Sequence, residues 1–595
     1  MHKVILSEAK NLPSAPVGSK RRCFAALSMT TLSMTILLVV CPTLLRAESD
    51  PVLEAESALI GTIEKISLTA VCIHDAAQRG GGSGVLIDSQ GYGLTNFHVV
   101  AGMLEKRQGW GGLSDGQLYE MEVLGVDPVG DLAMFRLKAP PFTKHAFPFA
   151  PLGDSDRVQI GDTVIAAGNP FILSEDFTPS ISVGLVSGTH RYQKGTGGNL
   201  IYTDCIQVDA AINPGNSGGA LFNASGEIIG INGRISVGAR GRLNVGHGYA
   251  ISSNQVRRFI PAMRAGLLAR HGTMGGGVIE AQSGQVLFVD VVPGGVADRA
   301  GIKNADRLVR FDGVPIRSQN VFASMLGTYP EDWPVVLEIE SEEKLREIVL
   351  RLDPVNPRMR APFAPQREVN LAAVRRLLAG YRRAVFRDAS ADLSRQWTWS
   401  AHRKYQAVVG ERVFDEQYEV TADEDGPTRM LRRYEDGNRG FEVVYDEATA
   451  IKLLSQDGQR MDLSTGDRIV LNALWVLQHR LLSELTDEQL ADVAHSGADA
   501  MVQNSETQAI RGRTPSVPLE VIDWSIGGQT IAKFSFDPET GRVVRIRVRD
   551  SATNEQATIE FSDYNWAGGL MLPHTLEVRT PSSAYRETRT NWNVK

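Results

Sequence analysis

Apolar residues recur along the chain in short runs separated by polar, glycine-rich joints. Between residues 55 and 252 the runs have strand length: Val85 to Asp88 and Gly93 to Val100 around a Ser-Gln-Gly-Tyr turn, then Tyr119 to Val126, Val158 to Ala167, Ser180 to Gly188, Ile206 to Ala210 and Glu227 to Asn232. Many short strands with such joints predict an all-β sandwich or barrel. The period then changes. Val256, Phe259, Ile260, Met263 and Leu267 follow helical spacing, which predicts a helix that closes this region and bends at Pro261.

A second unit opens at Gly275-Gly276-Gly277-Val278. Val286 to Val292 reads as a strand, 293–302 as a short helix ended by glycine, and Arg307 to Phe311 as a strand leading into the Asp312-Gly313 turn. Gln319 to Gly327 reads as a helix, and two strands flank Ser341 to Lys344. Residues 354–366 are a Pro-rich, semi-rigid linker. Beyond it, Leu371, Val374, Leu377, Leu378 and Tyr381 mark an amphipathic helix. Strands follow at 398–455, a second helix over Leu471 to Leu485, and strands at 530–592 with a turn at Asp537 to Gly541. The tryptophans here, Trp397, Trp399, Trp475, Trp524, Trp566 and Trp592, read as core. The expected organisation is a segment 1–47, a domain at 55–270, a second at 272–353, the linker 354–366 and a third domain at 367–595.

The 595 residues leave room for about three to five domains. Hydrophobic content of 43% and charged content of 22% are those of globular protein. A net charge of −7 argues against nucleic acid as a partner. Phosphate-binding loops, His-Glu-x-x-His helices and Cys-x-x-Cys pairs are missing, so neither a cofactor nor a metal is expected. Lys20-Arg21-Arg22, an apolar run from Cys23 to Leu45 and a small residue at Ala47 predict a secretory signal cleaved after Ala47. The run is long enough that an uncleaved membrane anchor is the alternative. Leu38-Val39-Val40-Cys41 is a poor lipoprotein signal, and residues 1–19 predict a start codon placed too early. Cys23 and Cys41 leave with the segment. Cys72 and Cys205 each sit in an apolar run and read as buried free thiols, with a disulfide between them as the lesser alternative.

The stretch Asp209 to Leu221 carries candidate chemistry. Ser217 sits between Asn216 and Gly218, with Gly215 and Gly219 around it. Glycines flank a nucleophile because a peptide carbonyl must approach it and backbone N–H groups must face the oxyanion that forms. Alone, the stretch is equally good turn chemistry. Upstream lie His98, in Leu94 to Val100, and Asp131, in Asp127 to Phe135. A serine hydroxyl needs a base poised near neutrality, and the imidazole needs a carboxylate to orient it. The order His98, Asp131, Ser217 is that of the chymotrypsin-type triad.

Gly-Ser-Gly-Val-Leu-Ile-Asp (82–88), Thr-Asn-Phe-His-Val-Val (95–100), Gly-Asp-Leu-Ala (130–133), Gly-Asp-Ser-Asp (153–156), Ala-Gly-Asn-Pro-Phe (167–171) and Asn-Pro-Gly-Asn-Ser-Gly-Gly-Ala-Leu (213–221) together resemble the HtrA/Deg family of serine proteases. The resemblance runs from about residue 55 to about residue 353. It implies a multidomain chain: an all-β chymotrypsin-like double barrel, then a small α/β PDZ domain. His98 and Asp131 would come from the first six-stranded barrel and Ser217 from the second. His98 would be general base and then general acid, and Asp131 would orient it, with Asp127 as the competing carboxylate. The N–H groups of Gly215 and Ser217 would form the oxyanion hole. Ala211 would lie at the base of the specificity pocket, lined also by Ala210 and Ile212 and faced by Ile228 to Asn232, with no carboxylate to receive a basic side chain. Arg240 and Arg242, in the loop Ile235 to Gly248, could reach the pocket mouth. In the PDZ-like unit, Gly276, Gly277 and Val278 would hold a peptide carboxylate, with Phe322 and Leu326 lining its side-chain pocket.

Ile559 to Trp566 followed by Leu572-Pro573-His574 resembles the last strands of the LolA-like lipoprotein-carrier fold, which implies an α+β domain with a curved antiparallel sheet at 367–595. The function implied is a periplasmic or secreted serine endopeptidase acting on unfolded or damaged envelope proteins. A peptide- or lipoprotein-binding envelope sensor with subordinate catalysis is the alternative. The implied partners are unfolded protein or peptide substrates, C-terminal peptides at the PDZ-like unit, and lipid or lipoprotein at the C-terminal domain. HtrA proteins commonly trimerise through an aromatic-bearing segment before the first strand. Residues 48–71 hold no Phe, Tyr or Trp, which leaves homo-oligomerisation open.

Overall fold

The computed structural model describes residues 50–594 apart from 78–79, 142–144, 170–175, 195–200, 214, 236–246, 356–362, 387–395, 407–410, 422–427, 435–439, 446–450, 456–464, 478–480, 482–484, 487–488, 501–517, 527–529, 568–569 and 582–583. The expected secretory segment therefore lies outside the described residues, as do Arg240 and Arg242. Among the described residues no helix is long and apolar enough to cross a membrane. The chain divides into Met1–Ala58, described only from Asp50, and Leu59–Lys595.

Helix α1 (Pro51–Ser67) delivers Leu59, Ile63 and Ile66 to a core of the larger unit. Strands β1 (Ala70–Asp75), β2 (Gly80–Leu86), β3 (Tyr92–Thr95), β4 (Gln108–Gly112), β5 (Leu118–Asp127) and β6 (Leu132–Leu137) close a barrel in the order β1-β2-β3-β6-β5-β4, with the short helix α2 (Phe97–Val100) after β3. Strands β7 (Thr163–Gly168), β8 (Ser180–Lys194), β9 (Ile201–Val208), β10 (Ala220–Asn223), β11 (Ile228–Ile235) and β12 (Gly248–Ser252) close a second, in the order β10-β11-β12-β9-β8-β7.

Strand β6 shows why these runs are apolar without alternating. Phe135 points into the first barrel with Met121 and Val123, whereas Leu132 and Met134 join Ile165, Phe222, Ile231 and Phe259 in a core shared with the second barrel. Both faces are covered, so period two disappears. Gly93 on β3 leaves the space Phe135 fills, since a Cβ there would lie 2.2 Å from its Cζ. Helix α3 (Ser253–Arg264) follows β12, capped by Ser252, whose hydroxyl accepts from the Gln255 N–H. It ends before the expected Leu267, because Gly266 turns the backbone left-handed (φ +73°). Strand β7 likewise starts later than Val158, after the turn at Gly161 (φ +98°).

Next come strands Gly277–Glu280, Val286–Val289, Arg307–Phe311, Pro334–Ser341 and Lys344–Arg351, hydrogen-bonded in that order, with the two-residue strand Val314–Pro315 on Arg307–Phe311. Helices α4 (Val296–Arg299) and α5 (Gln319–Leu326) accompany them. Helix α6 (Arg367–Val385) then opens a region built on one antiparallel sheet of twelve strands, with α7 (Thr465–Trp475) between the fifth and sixth strands in chain order. Val374, Leu378 and Tyr381 of α6 and Ile469 and Ala473 of α7 share a core with Phe534, Phe536 and Ile559 of the sheet.

Two expectations for this region differ. Helix α7 begins at Thr465, before the expected Leu471, while 478–480 and 482–484 of the expected span lie outside the described residues, and strands Val493–Asp499 and Leu519–Ile526 were not expected. Val493–Asp499 is hard to read as a strand because its polar residues are buried with partners. Asp499 is fully buried and accepts from Arg351 Nη1 (2.9 Å) and Ser535 Oγ (2.7 Å). Burial works against its charge, but Arg351, Arg547 and Arg545 outweigh that and hold its carboxyl far below the usual range.

Candidate active site

The turn from β5 to β6 holds two aspartates. Asp127 ends β5 and accepts from the N–H groups of Val129 (3.1 Å) and Gly130 (2.8 Å), which closes the turn. Asp131 follows at φ +58°, a left-handed conformation that Asp tolerates better than most residues. Its backbone is held by the segment after β3: the Asp131 carbonyl accepts from Asn96 Nδ2 (2.9 Å) and Phe97 N (3.1 Å). Its side chain accepts from the His98 N–H (3.0 Å), and His98 Nδ1 lies 3.0 and 2.8 Å from its two oxygens. Tyr202, on β9 of the other barrel, donates its hydroxyl to Asp131 Oδ2 (2.5 Å).

The carboxylate is therefore buried, while the His98 side chain remains 43% exposed. Burial alone would lower the His98 pKa. The hydrogen bond and charge of Asp131 outweigh it and hold the ring above its ordinary value.

Ser217 comes from the second barrel. Its Oγ donates to the Gly233 carbonyl (3.1 Å), and among the described residues no hydrogen bond joins it to His98. Gly215 (φ +105°) and Gly218 (φ +86°) both need the left-handed region. The structure adds a second reason for the glycines here. A Cβ on Gly218 would sit 2.2 Å from the Ser83 carbonyl and 2.3 Å from Thr95 Oγ1, and one on Gly219 would sit 2.2 Å from the Ala167 carbonyl. Gly218 lets the serine turn lie directly against the first barrel, and Gly219 lets it lie against β7 of its own.

The remaining expected positions are spread wider. Ala211 is exposed, and its carbonyl accepts from Ser182 Oγ (3.0 Å). Ile212 is fully buried in one cluster with Val208, Leu221 and Ala250 of the second barrel. Gly276 and Gly277 are half-buried at the start of the sheet-edge strand Gly277–Glu280, while Val278 and Phe322 (3% and 5% exposed) sit in the core of that unit with Leu326 packed alongside. Helix α5, which carries Phe322 and Leu326, is tied to β9: Ser324 Oγ accepts from the Asp204 N–H (3.2 Å).

Asp127, the competing carboxylate, has its own histidine. Both its oxygens lie 2.9 Å from His271 Nε2, and His271 Nδ1 is 2.7 Å from the Gly327 carbonyl. Tyr202, Gly233 and His271 carried no expectation. The tyrosine lies in an ordinary strand run, and the other two act through backbone or from far along the chain. Cys72 and Cys205 are buried free thiols. Among the described residues, no three His, Cys, Asp or Glu side chains cluster as metal ligands.

Residues 82–231 match the trypsin-like peptidase domain family. The chain is 36% identical over 281 residues to a probable periplasmic serine endoprotease DegP-like of Chlamydia pneumoniae, covering 45% of this chain and 54% of that protein. It is 36% identical over 286 residues to the periplasmic serine endoprotease DegP of Salmonella typhimurium, covering 46% and 56%. The chain thus spans about half the length of the curated relatives it matches. Among solved structures, the HtrA-type protease AlgW with a tripeptide aligns to 50% of this chain and 98% of its own, with 26% identity and a TM-score of 0.42. The matched residues 82–231 fall within the double barrel.

Proposed function

We propose that the protein is a periplasmic or secreted serine endopeptidase that hydrolyses peptide bonds of unfolded or damaged envelope proteins. One observation carries the reading: an exposed imidazole, His98, is held through Nδ1 by the buried carboxylate of Asp131, on the barrel against which the Ser217 turn packs. In the proposed reaction Ser217 Oγ leaves the Gly233 carbonyl and attacks the substrate carbonyl carbon. His98 Nε2 takes its proton, and Asp131 keeps the ring oriented and stabilises its charged form. The N–H groups of Gly215 and Ser217 receive the oxyanion. His98 then protonates the leaving amine, and water releases the acyl group by the reverse sequence. The periplasmic relatives support the location.

The pocket is proposed to take small or medium aliphatic residues such as Val, Ala, Ile or Leu before the cut, because its base position, Ala211, carries no carboxylate to pair with a basic side chain. Residues 272–353 are proposed as a PDZ domain, with Gly276, Gly277 and Val278 binding a peptide C-terminus beside Phe322 and Leu326. Residues 367–595 are proposed as a LolA-like unit, on the strength of one antiparallel sheet whose residues Phe534, Phe536 and Ile559 share a core with α6 and α7.

The central test uses the full chain, a fluorophosphonate probe and β-casein. Wild type is expected to label and cleave, and Ser217→Ala to do neither, with a loss of several orders of magnitude in rate. Casein cleavage by Ser217→Ala at near wild-type rate refutes the assignment. Mass spectrometry of the fragments reads the specificity, and a dominant Lys, Arg, Asp or Glu before the cut sinks the pocket reading. A peptide with a free apolar C-terminus is expected to bind more tightly than its amidated form, and equal affinity removes the carboxylate cradle.

A further inference from the structure

We propose that Ser83 is a positioning residue for the nucleophile, clamping the Ser217 turn from the opposite barrel. The inference rests on the endopeptidase reading above. Ser83 lies on β2 and is fully buried. Its hydroxyl donates to the Gly215 carbonyl (2.6 Å) and accepts from the Asn169 N–H (2.8 Å). Its own N–H donates to the Ser217 carbonyl (2.9 Å), and its carbonyl accepts from Thr95 Oγ1 (2.6 Å). One residue of the first barrel therefore bonds on both sides of Asn216, and on its far side to the residue three positions before His98.

The geometry of the peptide group explains why this matters. A peptide unit is planar, so holding a carbonyl of one residue fixes the N–H of the next. Ser83 Oγ holds the plane between Gly215 and Asn216, and Ser83 N holds the plane between Ser217 and Gly218. The plane between Asn216 and Ser217, which carries the Ser217 N–H, is caught between two fixed neighbours. That N–H is one of the two proposed oxyanion donors, and such donors act by being aimed before the charge develops. Gly215 needs the hold most, because φ of +105° is one of several regions open to glycine. A hydroxyl has one proton to give, and here it is given to Gly215. Alanine at 83 therefore leaves the Gly215 carbonyl without this donor and the Asn169 N–H without this acceptor.

The test compares wild type, Ser83→Ala and Ser83→Cys in the full chain. Active sites are counted by stoichiometric fluorophosphonate labelling, and kcat and KM are measured on a fluorogenic peptide. Ser83→Ala is expected to lower kcat per titrated site about 100-fold, the scale of losing one oxyanion donor, with KM held within about threefold. Ser83→Cys keeps a donor, weaker and on a larger atom, and is expected to recover part of that loss, to about tenfold below wild type. A purely structural residue would lower the number of titratable sites and leave kcat per site unchanged. That outcome overturns the proposal, and in Ser83→Cys it does so even if Ser83→Ala fails to fold. Wild type that neither labels nor cleaves instead removes the endopeptidase reading, and this inference with it.

Discussion

Asp127 and Asp131 stand at the two ends of one turn, and each holds a histidine ring by its carboxylate. The Asp127 partner, His271, arrives from beyond α3 and is 5% exposed. Phe259 stacks on it at 4.4 Å, and both ring nitrogens face protein oxygens, those of Asp127 and of Gly327. Neither nitrogen is left to receive a proton from a substrate. The Asp131 partner, His98, has one nitrogen held and its side chain 43% exposed. The same pair of side chains is thus used once as a fastener between distant parts of the chain and once as the proposed base. What separates the two uses is a nitrogen without a committed partner, in a place that substrate can reach.

Converting each carboxylate to an amide is the strongest way to break this comparison. Asp131→Asn is expected to lower kcat about 10⁴-fold, as loss of the orienting carboxylate does in the chymotrypsin-type triad, with a modest change in melting temperature. Asp127→Asn is expected to do the opposite. It keeps an oxygen for the Val129 and Gly130 N–H groups but disrupts a buried pair, and breaking such a pair costs about 3–5 kcal/mol. Its kcat per folded molecule should stay within about threefold of wild type. Thermal melts and active-site-titrated kinetics on both variants check this. Equal kinetic losses in two folded proteins would leave the orienting acid unassigned.

The family resemblance favoured Asp131 over Asp127 and selected two barrels, whereas the short apolar runs and glycine joints by themselves read as an all-β sandwich or barrel. Less legible were contacts that depend on which parts of the chain meet. Nothing in Ile201 to Val208 marks Tyr202, since an aromatic residue on a strand is ordinary core. Ser83 lies in one of the quoted motifs, but three of its four hydrogen bonds, to Gly215, Asn169 and Ser217, exist only because the second barrel closes onto the first. Val493–Asp499 failed because Asp499 looks like a turn residue until Arg351 and Arg545 are brought to it.

The pH dependence sharpens the comparison on the Asp131 side. A proposed base acts only when unprotonated, so kcat/KM should rise with pH through the His98 pKa, which is held above the ordinary value of about 6.5. With Asn at 131 the opposing effect of burial acts alone, and the acid limb should move below that value. The sign for stability runs the other way. A pKa raised on folding contributes stability that is fully present below the unfolded value and is lost as pH rises through the folded one. An acid limb at the same pH in wild type and Asp131→Asn would mean that another group controls the profile.

The smallest expected effect concerns what distinguishes Asp131 from Asp127 among their neighbours: a tyrosine hydroxyl reaching across from the second barrel. Tyr202→Phe removes that donor and keeps the ring. Keeping the ring matters because a Cβ on Gly233 would lie 2.6 Å from Tyr202 Cε1, and the Gly233 carbonyl is the resting partner of Ser217 Oγ. A larger cut, such as Tyr202→Leu, disturbs both residues and separates nothing. After Tyr202→Phe the carboxylate still accepts from the His98 backbone and ring. The loss should therefore be that of one hydrogen bond among several, about 1 kcal/mol, or roughly three- to tenfold in kcat with KM unchanged. Losing a donor leaves more of the Asp131 charge to act on His98, so the acid limb of kcat/KM should move slightly upward, opposite to the shift in Asp131→Asn. Steady-state kinetics across pH on both variants reads the two signs together. If Tyr202→Phe costs as much as Asp131→Asn, the tyrosine and not the histidine turn is what holds the carboxylate in place, and the contrast between the two aspartates lies in their cross-barrel partners instead of in their histidines.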